Sequence, residues 1–297
     1  MTQAKLGAND DRTPLQIDGV DVIVDGEGPQ AIVMLHGWPD TYRLWDRQVE
    51  ALKSRYRCIR FTLPGFDKDQ PRQAHSLDDL VGTLKRIIEQ TCPGEPVTLL
   101  LHDWGCLFGY QFAMRNPSMV KRIIGVDIGD AGSRGHLREI GAKGKAMVFA
   151  YQIWLALAWR IGGSLGDRMT LWMARLLRCP SDPQYMGSNM CYPYYIAWFG
   201  AHGSYRHAKI LDPAWPMLYI YGRRKPFQFH STNWVAALRE RPDSEVVEFD
   251  TGHWVMSNRP QEFNQAIERW LSMSVAAEGC QKDRSLRLVG AGAQVYV

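Results

Sequence analysis

Val97-Thr98-Leu99-Leu100-Leu101-His102-Asp103-Trp104-Gly105-Cys106 reads as an apolar strand that runs straight into a small-residue turn, and GCLFGYQFAMRNP, from Gly105 to Pro117, continues it as a helix. A sharp strand-to-helix elbow lifts one side chain clear of the sheet and needs small neighbours, because its backbone is strained. Asp103 holds that position, with neither Ser nor Cys there. Gly105 and Gly109 let the elbow and the helix approach the sheet closely. The other role open to an Asp at this point is to cap the helix 104–116.

Outward from the elbow, short apolar, β-branched runs recur with helical patterns between them. They are VDVIV at 20–24, AIVMLHG at 31–37, CIRFTLPG at 58–65, VTLLLHD at 97–103, RIIGVDI at 122–128, MLYIYG at 217–222 and EVVEF at 245–249. The helical stretches fall at 41–54, 77–91, 105–116, 232–241 and 260–272. This alternation predicts an α/β fold on a mainly parallel sheet. Between Ile128 and Met217 about ninety residues read as helix broken by Gly and Pro, far longer than an ordinary crossover. They are expected to form an inserted helical cap over the carboxyl ends of the strands, where open α/β sheets bind ligands. The chain thus divides into a first core part at 1–132, a cap at 133–213, a second core part at 214–274 and a C-terminal tail at 275–297, which lacks sustained periodicity.

Composition narrows the functional classes. A chain of 297 residues with 45% hydrophobic residues has ample material for a buried core, which excludes disorder and fibrous repeats. Thirty-five Lys and Arg against 31 Asp and Glu give a formal +4, too mild for a nucleic-acid surface unless concentrated on one face, and Arg223-Arg224-Lys225 is the one concentrated run. The six cysteines, at 58, 92, 106, 179, 191 and 280, form no Cys-x-x-Cys pair, and MTQAKLGANDDRTPLQ at the N-terminus has no apolar signal core. A cytoplasmic location with reduced thiols is the expectation. The most apolar stretch, Ala146 to Trp159, is interrupted by Gln152 and falls short of the roughly 20 residues that span a bilayer, so no transmembrane segment is expected. No metal-ligand spacing occurs, and neither a metal nor another cofactor is expected. Eleven Trp and twelve Tyr suggest an aromatic-lined cavity, although core packing also draws on aromatics.

The elbow, together with His36-Gly37-Trp38-Pro39 and Asp250-Thr251-Gly252-His253-Trp254, resembles the α/β-hydrolase fold over about residues 15–272. The resemblance implies a mostly parallel eight-stranded sheet. Within it, a His-Asp-Trp-Gly elbow is similar to those of epoxide hydrolases and haloalkane dehalogenases, in which the carboxylate attacks an sp3 carbon and water later cleaves the ester. It implies that Asp103 is the nucleophile, that His253 activates the water, and that the backbone N–H groups of Trp38 and Trp104 form the oxyanion hole. Haloalkane dehalogenases often carry Asn where Trp38 stands, and use it to hold the halide. Many epoxide hydrolases place the orienting acid after the strand that here is MLYIYG, where this chain has Arg223-Arg224-Lys225-Pro226-Phe227 and no carboxylate. Dehalogenases place it after the preceding strand, where Asp127 and Asp130 stand. Asp127, 24 residues after Asp103, is the favoured acid and Asp130 the alternative. A third option is that both only shape a loop while a backbone carbonyl orients His253. His36 and His102 belong to the motif turns and read as structural.

Phe149-Ala150-Tyr151-Gln152-Ile153-Trp154 and Cys191-Tyr192-Pro193-Tyr194-Tyr195 resemble the two cap tyrosine segments of epoxide hydrolases. Tyr151 and Tyr195, with Tyr194 as the competing choice, are the implied phenols that would hydrogen-bond an epoxide oxygen. The function implied is an epoxide hydrolase acting on a small-molecule apolar substrate with water. The alternatives are a haloalkane or haloacid dehalogenase with the same Asp-His-Asp triad, and a non-catalytic α/β-hydrolase-fold binding module. A homo-oligomer is compatible with the sequence.

Overall fold

The computed structural model describes residues 14–205, 207–212 and 214–273. The tail at 275–297 and Cys280 lie outside the described residues. Among the described residues eight strands form one sheet: β1 (Leu15–Ile17), β2 (Val20–Asp25), β3 (Gln30–Leu35), β4 (Tyr56–Phe61), β5 (Val97–His102), β6 (Val120–Val126), β7 (Met217–Gly222) and β8 (Glu245–Phe249). Their order is β1-β2-β4-β3-β5-β6-β7-β8, and only the β1/β2 and β2/β4 pairings are antiparallel. β1 lies outside the seven runs read from periodicity, since three residues carry too little pattern to register.

The helices are α1 (Asp46–Leu52), α2 (Leu77–Thr91), α3 (Trp104–Arg115), α4 (Arg134–Glu139), α5 (Gly141–Ile161), α6 (Gly163–Leu176), α7 (Tyr192–Phe199), α8 (Thr232–Arg239), α9 (Val255–Asn258) and α10 (260–273). The helical reading at 41–54 resolves into a 3-10 turn, Tyr42–Trp45, followed by α1. α2 starts where Ser76 and Asp79 exchange capping hydrogen bonds, which satisfies two otherwise unpaired amides.

Strand alternation builds two cores. Val33, Leu35, Leu99 and Leu101 face α2 and α3, where they meet Leu84, Phe108 and Phe112. Ile32, Met34, Leu100 and Ile124 face the other side, against Val49 of α1 and Phe263 and Ile267 of α10. β5 is buried along its whole length, as a central parallel strand covered on both faces must be. α4 to α7 lie between β6 and β7, and Leu155, Met173, Tyr192 and Ile196 from this segment join the first core. The chain steps from β3 to β4 in one direction and then returns to place β5 on the other side of β3. That reversal opens a crevice at the carboxyl ends of β3 and β5.

Candidate active site

Asp103 stands in the crevice. Its backbone, at φ 52° and ψ −124°, lies in a region that non-glycine residues rarely occupy, and its side chain makes no capping bond to α3. The carboxylate instead turns toward the loop after β3, where the Trp38 amide donates to Oδ1 at 2.7 Å. The Trp104 amide also faces this carboxylate and helps to hold its pKa down. Gly37 makes this approach possible: a Cβ there would sit 2.3 Å from Asp103 Oδ1 and 2.5 Å from the Trp104 nitrogen. Gly105 serves the same end, since its Cβ would strike the His36 carbonyl at 2.4 Å.

His253, in the loop between β8 and α9, brings Nε2 to 3.5 Å from Asp103 Oδ2. Its Nδ1 hydrogen-bonds Asp127 Oδ2 across a sequence separation of 126 residues. Asp127 follows β6 at φ 71° and is fully buried. It also accepts from the Gly222 amide at 3.1 Å and pairs with the Lys225 ammonium. His102 lies beneath and donates from Nε2 to the His253 carbonyl at 3.2 Å, because a carbonyl can only accept. Burial holds His102 at about 3, so it is neutral here.

Burial alone would lower the His253 pKa, but the Asp127 charge and the hydrogen bonds with Asp103 and Asp127 outweigh it and lift the imidazole to about 9. Burial alone would raise the Asp103 carboxyl, yet the His253 hydrogen bond and charge hold it below its ordinary value. For Asp127 burial is likewise overcome, here by the Lys225 charge first and His253 next. At neutral pH the free site therefore holds an imidazolium between two carboxylates.

Above Asp103 opens a cavity of about 1150 Å³, walled by Trp38, Tyr151, Trp154, Trp172, Met173, Tyr194, Phe227 and Phe229, with His253 on its floor. Tyr194 packs edge-on against both Trp38 and Trp104, at 6.1 and 5.2 Å between ring centroids, and against Tyr151 at 6.1 Å. Burial, and after it the negative charge of Asp103, push both phenols above the ordinary tyrosine value, so each keeps its proton. Among the described residues no cluster of three or more His, Cys, Asp or Glu side chains is arranged to hold a metal ion.

Residues 32–266 match the alpha/beta hydrolase family, most of the chain. The chain belongs to the alpha/beta hydrolase family. Among curated proteins, it is 35% identical over 127 residues to a cis-3-alkyl-4-alkyloxetan-2-one decarboxylase of Xanthomonas campestris, covering 38% of this chain and 42% of that one. It is 30% identical over 105 residues to epoxide hydrolase 1 of Caenorhabditis elegans, covering 34% of this chain and 26% of that one. The matches thus span less than half the length of these relatives. Among solved structures, a mutant epoxide hydrolase of Bacillus megaterium bound to its diol product superposes with a TM-score of 0.66 at 20% identity, over 86% of this chain and 99% of that one. At that identity the likeness shows the fold.

Not every residue expected from the sequence reaches the crevice of this alpha/beta hydrolase. Asp103, His253, Asp127, Trp38, Trp104 and Tyr151 converge there. Tyr195 does not: its ring stacks on Trp159 at 4.6 Å and on Phe199 at 5.1 Å, and it is absent from the cavity wall. Tyr194 takes its place, because α7 begins at Tyr192 and turns residue 194, not 195, toward the elbow. Asp130 is engaged elsewhere, accepting from the Ser231 amide and from the hydroxyls of Ser231 and Ser133, and so ties the starts of α8 and α4 together. The contact between Lys225 and Asp127 was not anticipated, although the signal existed: the position after β7 adjoins the position after β6, and one carries a cation where the other carries a carboxylate.

Proposed function

We propose that the chain is an epoxide hydrolase that opens an apolar epoxide to a vicinal diol through an ester on Asp103. The observation that carries this reading is the pair of protonated phenols, Tyr151 and Tyr194, lining the same cavity as a carboxylate that its elbow leaves uncapped. Asp103 attacks a ring carbon, the carbon–oxygen bond of the ring breaks, and the oxygen takes a proton from a phenol. Ester formation removes the Asp103 charge, and with it two of the influences that raise His253. The imidazolium pKa then falls, and its proton passes through solvent to the phenolate and restores the phenol. Neutral His253 next takes a proton from water, and the hydroxide attacks the ester carbonyl. The Trp38 and Trp104 amides, already aimed at the carboxylate, stabilise the resulting oxyanion. Asp127 holds the imidazole in the required tautomer, and as the oxyanion collapses and the ester bond breaks, the departing alkoxide takes the proton that His253 holds and leaves as the diol.

A second reading, a haloalkane dehalogenase, is favoured by the position of Asp127 after β6. Against it stand Trp38, which offers no side-chain amide to a halide, and the two phenols, which a leaving halide does not require. The test is a panel of purified protein on an epoxide, a haloalkane and an oxetan-2-one, followed by a single turnover in oxygen-18 water. Diol release with the label entering Asp103, and not the first diol, is the expected result. Halide release without diol overturns the reading in favour of the dehalogenase, and label appearing directly in the first diol removes Asp103 as nucleophile.

A further inference from the structure

The cavity wall reaches exposed residues of the cap, Met147, Trp172 and Leu176, and the outer face of the cap beyond them is apolar and basic at once. On α5, Met147, Trp154, Leu157 and Ile161 recur at spacings of seven, three and four residues, which places them on one stripe. The inner end of the stripe, Met147 and Trp154, lines the cavity, while Leu157 and Ile161 are 41% and 50% exposed. Gly162, at φ 65°, turns the chain into α6, which packs on α5. There Leu165, Trp172 and Leu176 are each at least half exposed, and Trp172 and Leu176 again line the cavity. The Trp154 and Trp172 rings, 4.9 Å apart, join the two stripes. Scattered exposed apolar residues are ordinary, but a strip that runs unbroken from a cavity mouth marks an interaction site.

Arg160, Arg168 and Arg175 stand exposed on the same two helices, and none of them pairs with a carboxylate among the described residues. Residues 133–213 carry ten Lys and Arg against four Asp and Glu, a formal +6, so the rest of the chain sums to −2. A second copy docking through this face would set one basic surface against another. An anionic lipid surface complements both properties, since acyl chains accept Leu, Ile and Trp while headgroups pair with Arg.

We propose that the α5–α6 face of the cap seats on an anionic bilayer, with the cavity mouth toward the lipid, so that the apolar substrate enters from the membrane. The inference requires only an apolar ligand and stands whatever bond Asp103 attacks. The experiment is co-sedimentation of the full chain with phosphatidylcholine vesicles, with and without phosphatidylglycerol. The protein should pellet with the anionic vesicles alone and be released near 1 M salt, where the screening length is about 3 Å. Arg168→Glu with Arg175→Glu should weaken partitioning at least ~25-fold, at about five-fold per charge. Leu165→Ser with Ile161→Ser should also weaken it while turnover of a water-soluble substrate is unchanged. All four positions are exposed and none lines the cavity, and an unaltered thermal midpoint verifies the fold of each variant. No pelleting of the parent with anionic vesicles, equal pelleting of parent and variants, or a dimer in sedimentation velocity that Leu165→Ser with Ile161→Ser dissolves would each overturn the proposal.

Discussion

Asp127 accepts from three donors at once: the His253 imidazole, the Gly222 amide and the Lys225 ammonium. Replacing it with Asn removes the charge and offers an NH2 group where only acceptors are useful, so His253 loses both its tautomer and its orientation. Asp127→Asn is expected to lower kcat by about 10²–10⁴. Asp130→Asn should leave turnover close to the parent value and cost about 1–3 kcal/mol of stability, because buried bonds to Ser231 and Ser133 are weakened. Stopped-flow kinetics and urea unfolding separate the two effects. Equal, mild losses of turnover would remove Asp127 as the orienting group.

The elbow and α7 act as units. At the elbow, the Asp103 side chain makes no capping bond to α3 and turns to the loop after β3, and Gly37 and Gly105 allow that loop to meet it. In α7, eight residues carry Tyr192, Tyr194 and Tyr195 with three destinations: Tyr192 donates to the Pro64 carbonyl at 3.0 Å, Tyr194 enters the cavity, and Tyr195 packs between Trp159 and Phe199. Tyr151→Phe with Tyr194→Phe should slow ester formation from an epoxide by at least ~10²-fold, more than either single change, because one phenol partly covers for the other. Tyr195→Phe should leave that step unaltered. Single-turnover tryptophan fluorescence measures it directly, and a double variant that opens epoxides at the parent rate would return the cap phenols to a packing role.

Across the whole chain, buried titratable groups set how stability varies with pH. His253 is raised from 6.5 to about 9, so its contribution is complete below pH 6.5 and is lost as pH rises through 9. Burial lowers His36 to about 4, His102 to about 3 and His230 to about 4, so their contributions are present above 6.5 and are lost as pH falls. Asp40, raised by burial to about 6, works in the opposite sense below that pH, against these histidines. Stability should therefore peak near pH 6.5 and fall toward pH 9 with a slope of at most about 1.4 kcal/mol per pH unit from His253. Asp103→Asn, which removes one of the charges raising His253, should flatten that limb. Thermal unfolding across pH 5–9 tests this, and a midpoint that rises steadily to pH 9 would contradict the assignment of His253 as a cation.

What could be read from the sequence was what neighbouring residues encode. Strand and helix periods located seven of the eight strands and the helices that cover them, and the change of period at Asp103 marked the elbow. The long interval before Met217 marked helices inserted between two strands. Asp103 and His253 were legible because each sits at a strand end with turn residues around it. The choice of Tyr194 over Tyr195 was not, because every neighbour in α7 is apolar or aromatic and no polar face sets the rotation of so short a helix. Nor was the contact of Lys225 with Asp127, and Asp127 was favoured over Asp130 as the partner of His253 only through the family resemblance. Those pairings join residues about a hundred positions apart, and the order of β6, β7 and β8 in the sheet decides them. Local pattern determines which elements form and which side chains their ends present, whereas the burial and pairing of those side chains depend on strand order and on how the cap packs, which only the tertiary structure decides.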